Sequence, residues 1–175
     1  MFGYPTDRLN QYSGCMARST RPSVTRFDSP QQEAYLALWR TYDRLRALED
    51  ELFAQFELTA QQYNVLRLLR AAHPDRIPTL GLAARLVSRA PDITRMLDRL
   101  EQRELIERVR SGEDRRTVLV GVTELGLALL KRITEPLREC HEQQLGHLSS
   151  SELKELVRLL HKARSPHEGS DSPWK

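Results

Sequence analysis

The chain has 175 residues, 39% of them hydrophobic and 29% charged, with a formal net charge of +3. That length and apolar content allow one core of ordinary size plus tails and require no second domain. No apolar run approaches the ~20 residues of a membrane span and no stretch has a signal-peptide pattern, while Cys15 and Cys140 have neither zinc-finger nor disulfide-framework spacing, so a cytoplasmic protein is expected.

Residues 1–29 mix Gly, Pro, Ser, Thr and Arg without periodicity and read as a flexible N-terminal arm. Ser29 followed by Pro30 is a cap and a first turn, opening a helix to about Phe56. Along one stripe of that helix lie Tyr35, Leu38, Tyr42, Leu45, Leu52 and Phe56, with Leu36, Trp39 and Phe53 beside it. Thr59 and Gln62 have capping-box spacing, so a second helix starts there and ends before Pro74, leaving HPDRIP as a loop.

Two short helical patterns follow almost without a gap. In TLGLAARLVS, Leu80, Leu82, Ala83 and Leu86 are expected to line one face. In RAPDITRMLDRLEQRELI, Ile93, Met96, Leu97 and Leu100 recur at i, i+3, i+4 and i+7, which makes a buried stripe, and Pro91 suits the first turn. The second helix is expected from Pro91 to Arg103, with Thr94, Arg95, Asp98, Arg99 and Gln102 on its polar face. The period then changes to two in IERVR and TVLVGV, which flank the charged tip SGEDRR, the signature of a β-hairpin. Helix-turn-helix followed by a charged hairpin is a winged helix, suited to placing a helix in a DNA major groove and a basic wing in the adjacent minor groove. Nine arginines and no lysine fall between Thr79 and Arg116, so the distribution of charge matters more than its sum.

Thr123 with Glu124 marks the start of a long helix whose stripe is Leu130, Ile133, Leu137, Cys140 and Gln144, with a kink expected at Pro136. Ser149 and Glu152 form a second capping box, opening a last helix with Leu153, Leu156, Val157 and Leu160 on one side. The tail after residue 163 is polar. The stripes of the first and last helices exceed what one small winged helix covers, which points to packing against a second copy. For catalysis there is no GxSxG, Gly-rich phosphate loop or HExxH, so no enzyme activity and no cofactor are expected, and the scattered histidines His73, His141, His147, His161 and His167 make no metal site. Cys140 on the apolar stripe reads as a small hydrophobe.

The run ITRMLDRLEQRELIERVRSGEDRRTVLVGVTELG, with TAQQYNVLRLL upstream, resembles the MarR family of bacterial transcription regulators over roughly Pro30 to Ala163. One departure is Glu104, where the family has Gly after the recognition helix; a non-Gly residue in the left-handed conformation there costs ~1 kcal/mol unless the helix ends differently. The resemblance implies a mainly α fold with a small β-hairpin wing, a winged helix-turn-helix joined to a helical dimerisation region. Its parts would be an arm (1–29), dimerisation helices (30–57 and 124–163), a DNA-binding lobe (58–123) and a loose tail (164–175).

It further implies a homodimeric repressor on a pseudo-palindromic operator in double-stranded DNA. Thr94, Arg95 and Asp98 would face base edges, and Ser88 and Arg99 phosphates. Arg116 would enter the minor groove, oriented by Asp114 and helped by Arg110 and Arg115. Many members bind a phenolic or other aromatic effector, for which Trp39, Tyr42, Tyr63 and Arg67 are the candidates here. Two alternatives stay open: a redox-sensing repressor of the same fold, and a winged helix used as a protein-interaction module.

Overall fold

In the computed structural model, residues 27–87, 92–110, 112, 117–170 and 172 are described. The first helix, α1 (Pro30–Ala54), opens as its cap predicts, with the Gln32 amide donating to Ser29 Oγ at 3.1 Å. The chain divides into two units, Met1–Leu38 and Trp39–Lys175, and the packing that follows belongs to the second. Past Ala54 the chain turns once more and stops at Glu57, whose φ of 54° is left-handed. The Leu58 amide reaches back to the Phe53 carbonyl and the Glu57 amide to that of Ala54, both at 3.0 Å, and Phe53 and Leu58 are buried together. This is a Schellman ending, with its usual apolar contact between the residues on either side of the turn.

Helix α2 (Ala60–Ala72) starts with both halves of the expected capping box: the Gln62 amide donates to Thr59 Oγ1 and the Thr59 amide to Gln62 Oε1. Its inward residues Val65, Leu66 and Leu69 are fully buried. The segment after α2 is more than the loop expected from HPDRIP. Ile77–Pro78 form a short strand, β1, at the edge of an antiparallel sheet, with Ile77 opposite Val120 and Pro78 opposite Leu119. Proline is tolerated there because an edge strand has a side with no ladder to complete. Two residues are too few to show a period, so the sequence showed only the hairpin of β2 (Ile106–Arg110) and β3 (Val118–Val122), which β1 extends to a three-stranded sheet ordered β1-β3-β2.

Helix α3 (Thr79–Arg85) is only seven residues long. Leu82 and Leu86 are buried as expected, but Leu80 is 85% exposed. At 3.6 residues per turn, positions two apart lie about 200° around a helix, so Leu80 and Leu82 cannot share a face. Helix α4 (Ile93–Gln102) buries Leu97 and Leu100, with Ile93 and Met96 packed against the core.

Helix α5 (Glu124–Leu145) buries the whole expected stripe of Leu130, Ile133, Leu137, Cys140 and Gln144, and it runs through Pro136 as one helix. Gln144 is no mismatch on that stripe, because its Nε2 donates to the Leu45 carbonyl of α1 at 2.7 Å. At the start of α5, Thr123 Oγ1 accepts from the Gly126 amide at 3.1 Å, and a Cβ on Gly126 would lie 2.2 Å from the Leu105 carbonyl oxygen. Only glycine allows that approach.

Helix α6 (Ser150–Arg164) has the predicted capping box between Ser149 and Glu152, yet buries no residue; Val157, Leu159 and Leu160 are exposed. On α1, Trp39 and Tyr42 are likewise exposed. Leu52 departs from the expected outward stripe, being buried in the chain's own core beside Phe53, because the last turn of α1 lies over the core that α2 and α5 fill.

Candidate nucleic-acid interface

The start of α3 is fastened to the sheet, with Thr79 Oγ1 donating to the Val118 carbonyl at 3.1 Å. Helix α4 begins two residues later than expected. Asp92 is its N-cap, the carboxylate accepting from the Arg95 amide at 2.9 Å, and Pro91, assigned to the first turn, lies outside the described residues. The signal was present: an aspartate stands directly before the first apolar residue of the stripe.

With Leu97 and Leu100 inward, α4 leaves Thr94, Arg95, Arg99 and Gln102 exposed on one side. Asp98, expected on that face, is held from behind: Arg108 on β2 puts Nη2 2.7 Å from its carboxylate and also pairs with Glu101, its Nε donating at 2.9 Å. The hydrogen bond from Arg108 holds the Glu101 carboxyl below its ordinary range, and the same bond raises the guanidinium above its own. Two acids flanking the exposed face are thus served by one cation, which leaves Arg95 and Arg99 as its outward charges. Between α3, α4 and the base of the hairpin lies a cavity of about 260 Å³, lined among others by Thr79, Leu80, Thr94, Arg108 and Thr117.

The C-terminal end of α4 repeats that of α1. Glu104 has a φ of 56°, the left-handed one of the two outcomes that the sequence left open. The Leu105 amide donates to the Leu100 carbonyl at 3.0 Å and the Glu104 amide to that of Glu101 at 2.8 Å. The Schellman ending forms without glycine, helped by burial of Leu100 and Leu105. Thr123 then ties this end to α5: its hydroxyl donates to the Glu104 carbonyl at 2.6 Å and its amide to that of Leu105 at 3.2 Å.

In the hairpin, Arg110 is exposed at the last position of β2. Ser88, Asp114, Arg115 and Arg116 lie outside the described residues. Of the effector candidates, Trp39 and Tyr42 are exposed, Tyr63 stacks on Phe53 with ring centroids 4.8 Å apart, and Arg67 donates to Asn64 Oδ1 at 2.8 Å. None of the four lines the cavity beside α4, nor a second one of about 370 Å³ between α1 and α5 that is bordered by Leu48, Glu51, Glu139 and Cys140.

Two short helices, the second presenting a polar basic face beside an antiparallel strand pair, define the winged helix-turn-helix class of DNA-binding proteins. The comparisons narrow this: the MarR family model matches residues 58–118. The chain is 32% identical over 152 residues to the HTH-type transcriptional repressor NicR of Pseudomonas putida, covering 84% of this chain and 94% of NicR. It resembles the crystal structure of a MarR transcription factor from Planctomyces limnophilus, with 61% identity, a TM-score of 0.63 and coverage of 77% of this chain and 98% of that one. A structure describing regulation of DNA binding of Bordetella bronchiseptica BpsR by 6-hydroxynicotinic acid matches at 26% identity and a TM-score of 0.67, covering 75% and 98%. The chain belongs to the MarR family of transcription regulators.

Proposed function

We propose that this chain is a homodimeric repressor that reads a pseudo-palindromic operator in double-stranded DNA and acts by binding, without catalysis, in the cytoplasm. The observation that carries the reading is the exposed row of Thr94, Arg95 and Arg99 on α4, cleared of competing acid by the Arg108 pairings. Thr94 and Arg95 are assigned to base edges and Arg99 to a phosphate, arginine being a bidentate partner for guanine. Asp98 is reassigned from a base to the orientation of Arg108. Ser88 on phosphate, and a wing of Arg110, Arg115 and Arg116 with Asp114 as orienting acid, complete the set on the strength of their sequence.

Dimerisation is assigned to 30–57 and 124–163, and DNA binding to 58–123. It is supported by the exposed apolar residues of α1 and by α6, which buries nothing in its own chain. A small aromatic effector is proposed to release the operator, in keeping with the control of BpsR by 6-hydroxynicotinic acid. Tyr63 and Arg67, half-buried on α2, and Trp39 and Tyr42 on α1 remain its proposed contacts. The redox alternative finds no support at Cys140, because burial first and Glu49 second push its thiol up, away from the reactive thiolate.

A footprint on the DNA upstream of the chain's own coding sequence tests the reading. Protection of two half-sites whose centres lie ~34–36 Å apart, one turn of the duplex, is expected. Uniform, sequence-independent protection would leave a general DNA-coating protein instead.

A further inference from the structure

Helix C-termini leave their last carbonyls without intrahelical donors and carry the negative end of the helix dipole, so a cation with several N–H groups is their natural complement. At the end of α1 that complement comes from α4. Arg103, the C-cap of α4, extends its guanidinium to the Schellman turn of α1, where Nη2 donates to the Phe56 carbonyl at 3.2 Å and Nη1 donates to the carbonyl of Glu57. The Glu57 carboxylate stands 3.5 Å from the same guanidinium. The next two residues, Glu104 and Leu105, are fastened to the start of α5 through Thr123. The end of the helix that reads DNA is therefore held by α1 on one side and by α5 on the other.

We infer that Arg103 is a positioning residue for operator recognition: by clasping the end of α1 it sets the attitude of α4, so that the placement of α1 is transmitted to the base-reading side chains. This rests on the proposed role of α4 as the reading helix. The fork geometry matters as much as the charge, because two carbonyls on successive residues are engaged by different nitrogens of one planar group, which the single ammonium of lysine does not reproduce. The sequence offered no sign of this role, since Arg103 and Phe56 are separated by 47 residues and Arg103 is one of several arginines on the same helix.

The experiment uses the full chain, a duplex selected by the wild-type protein from a random-sequence pool, and a scrambled duplex of equal length. Binding of the wild type, Arg103→Ala and Arg103→Lys is followed by fluorescence anisotropy across a salt series. Arg103→Ala is expected to weaken binding to the selected duplex about tenfold, what the loss of one charge-assisted hydrogen bond corresponds to. It should leave the scrambled duplex little affected and the slope of log affinity against log salt unchanged. Arg103→Lys should show most of the same loss.

A slope lower by about one unit per protomer, with recovery in Arg103→Lys, would make Arg103 a phosphate contact and overturn the inference. On single-base variants of the selected duplex, a loss confined to one base position would make it a base contact, with the same consequence. Full affinity in either variant also overturns it, and Arg103→Lys, which keeps the bulk and charge, decides the matter if Arg103→Ala does not fold. A wild-type chain that selects no duplex would instead remove the DNA-binding reading on which the inference stands.

Discussion

Helices α2 and α4 on one side, and α6 with the exposed part of α1 on the other, use apolar stripes to opposite ends. In the lobe, α2 places Val65, Leu66 and Leu69 at zero exposure, and α4 does nearly the same with Leu97 and Leu100. Helix α6 has as regular a stripe and buries none of it, and α1 leaves Trp39 and Tyr42 in solvent. An apolar stripe thus announces that something will cover it without saying whether the cover lies in the same chain. Helices α2 and α4 find their cover in the chain's own core, to which α5 and the end of α1 also contribute, whereas α6 buries none of its residues and is expected to find its cover on a second copy.

The strongest way to separate the two regions is to substitute one residue in each. Leu66→Ala removes a fully buried side chain and is expected to lower stability by about 2–5 kcal/mol at every protein concentration, measured by urea unfolding. Val157→Glu touches a residue 67% exposed, so a fold that stands alone should tolerate it. Its expected effect is on assembly, with light scattering giving the mass of one chain where the wild type gives two. Unchanged dimer mass in that variant would move the interface off α6.

Within the lobe, Arg95→Ala is expected to lower preference at one operator base by ~1–3 kcal/mol while leaving non-specific binding largely intact, read by competition against single-base variants. An equal loss on every sequence would reassign Arg95 to the backbone. Smaller and of opposite sign is Glu104→Gly. Relief of the left-handed backbone, less the extra freedom that glycine gives the unfolded chain, should raise stability by about 0.5–1 kcal/mol, seen as a higher thermal midpoint. A lower midpoint would mean that the Glu104 side chain contributes more than its backbone loses.

The smallest effect concerns pH. Because Arg108 holds the Glu101 carboxyl below its ordinary value, the pair contributes to folding above the normal carboxylate range of ~4.3 and is lost as pH falls through the lowered value. The stability difference between the wild type and Glu101→Gln should accordingly be largest near neutrality and shrink in acid. A difference that grows on acidification would contradict the pairing.

Much of the local structure was legible in the residues. Ser29, Thr59, Thr123 and Ser149 each start the helix they were expected to start, because a cap and its partner lie within three or four positions and sequence order is then spatial order. The stripes of α4 and α5 were legible for the same reason: a period of 3.6 is a local property. At Glu104 the residues marked the position as one of strain or of a different helix ending, and the structure takes the left-handed turn.

Tertiary structure decided what depends on residues far apart in the chain. Strand β1 exists because β3 lies alongside it, not because Ile77–Pro78 favour a strand. Asp98 faces Arg108 across from β2, and Arg103 reaches the end of α1, through pairings that no spacing in the sequence encodes. A helix specifies which side chains share a face. Which element that face meets is set by the packing of the whole chain, and so the composition of the reading face was local information while the means of holding it in place was not.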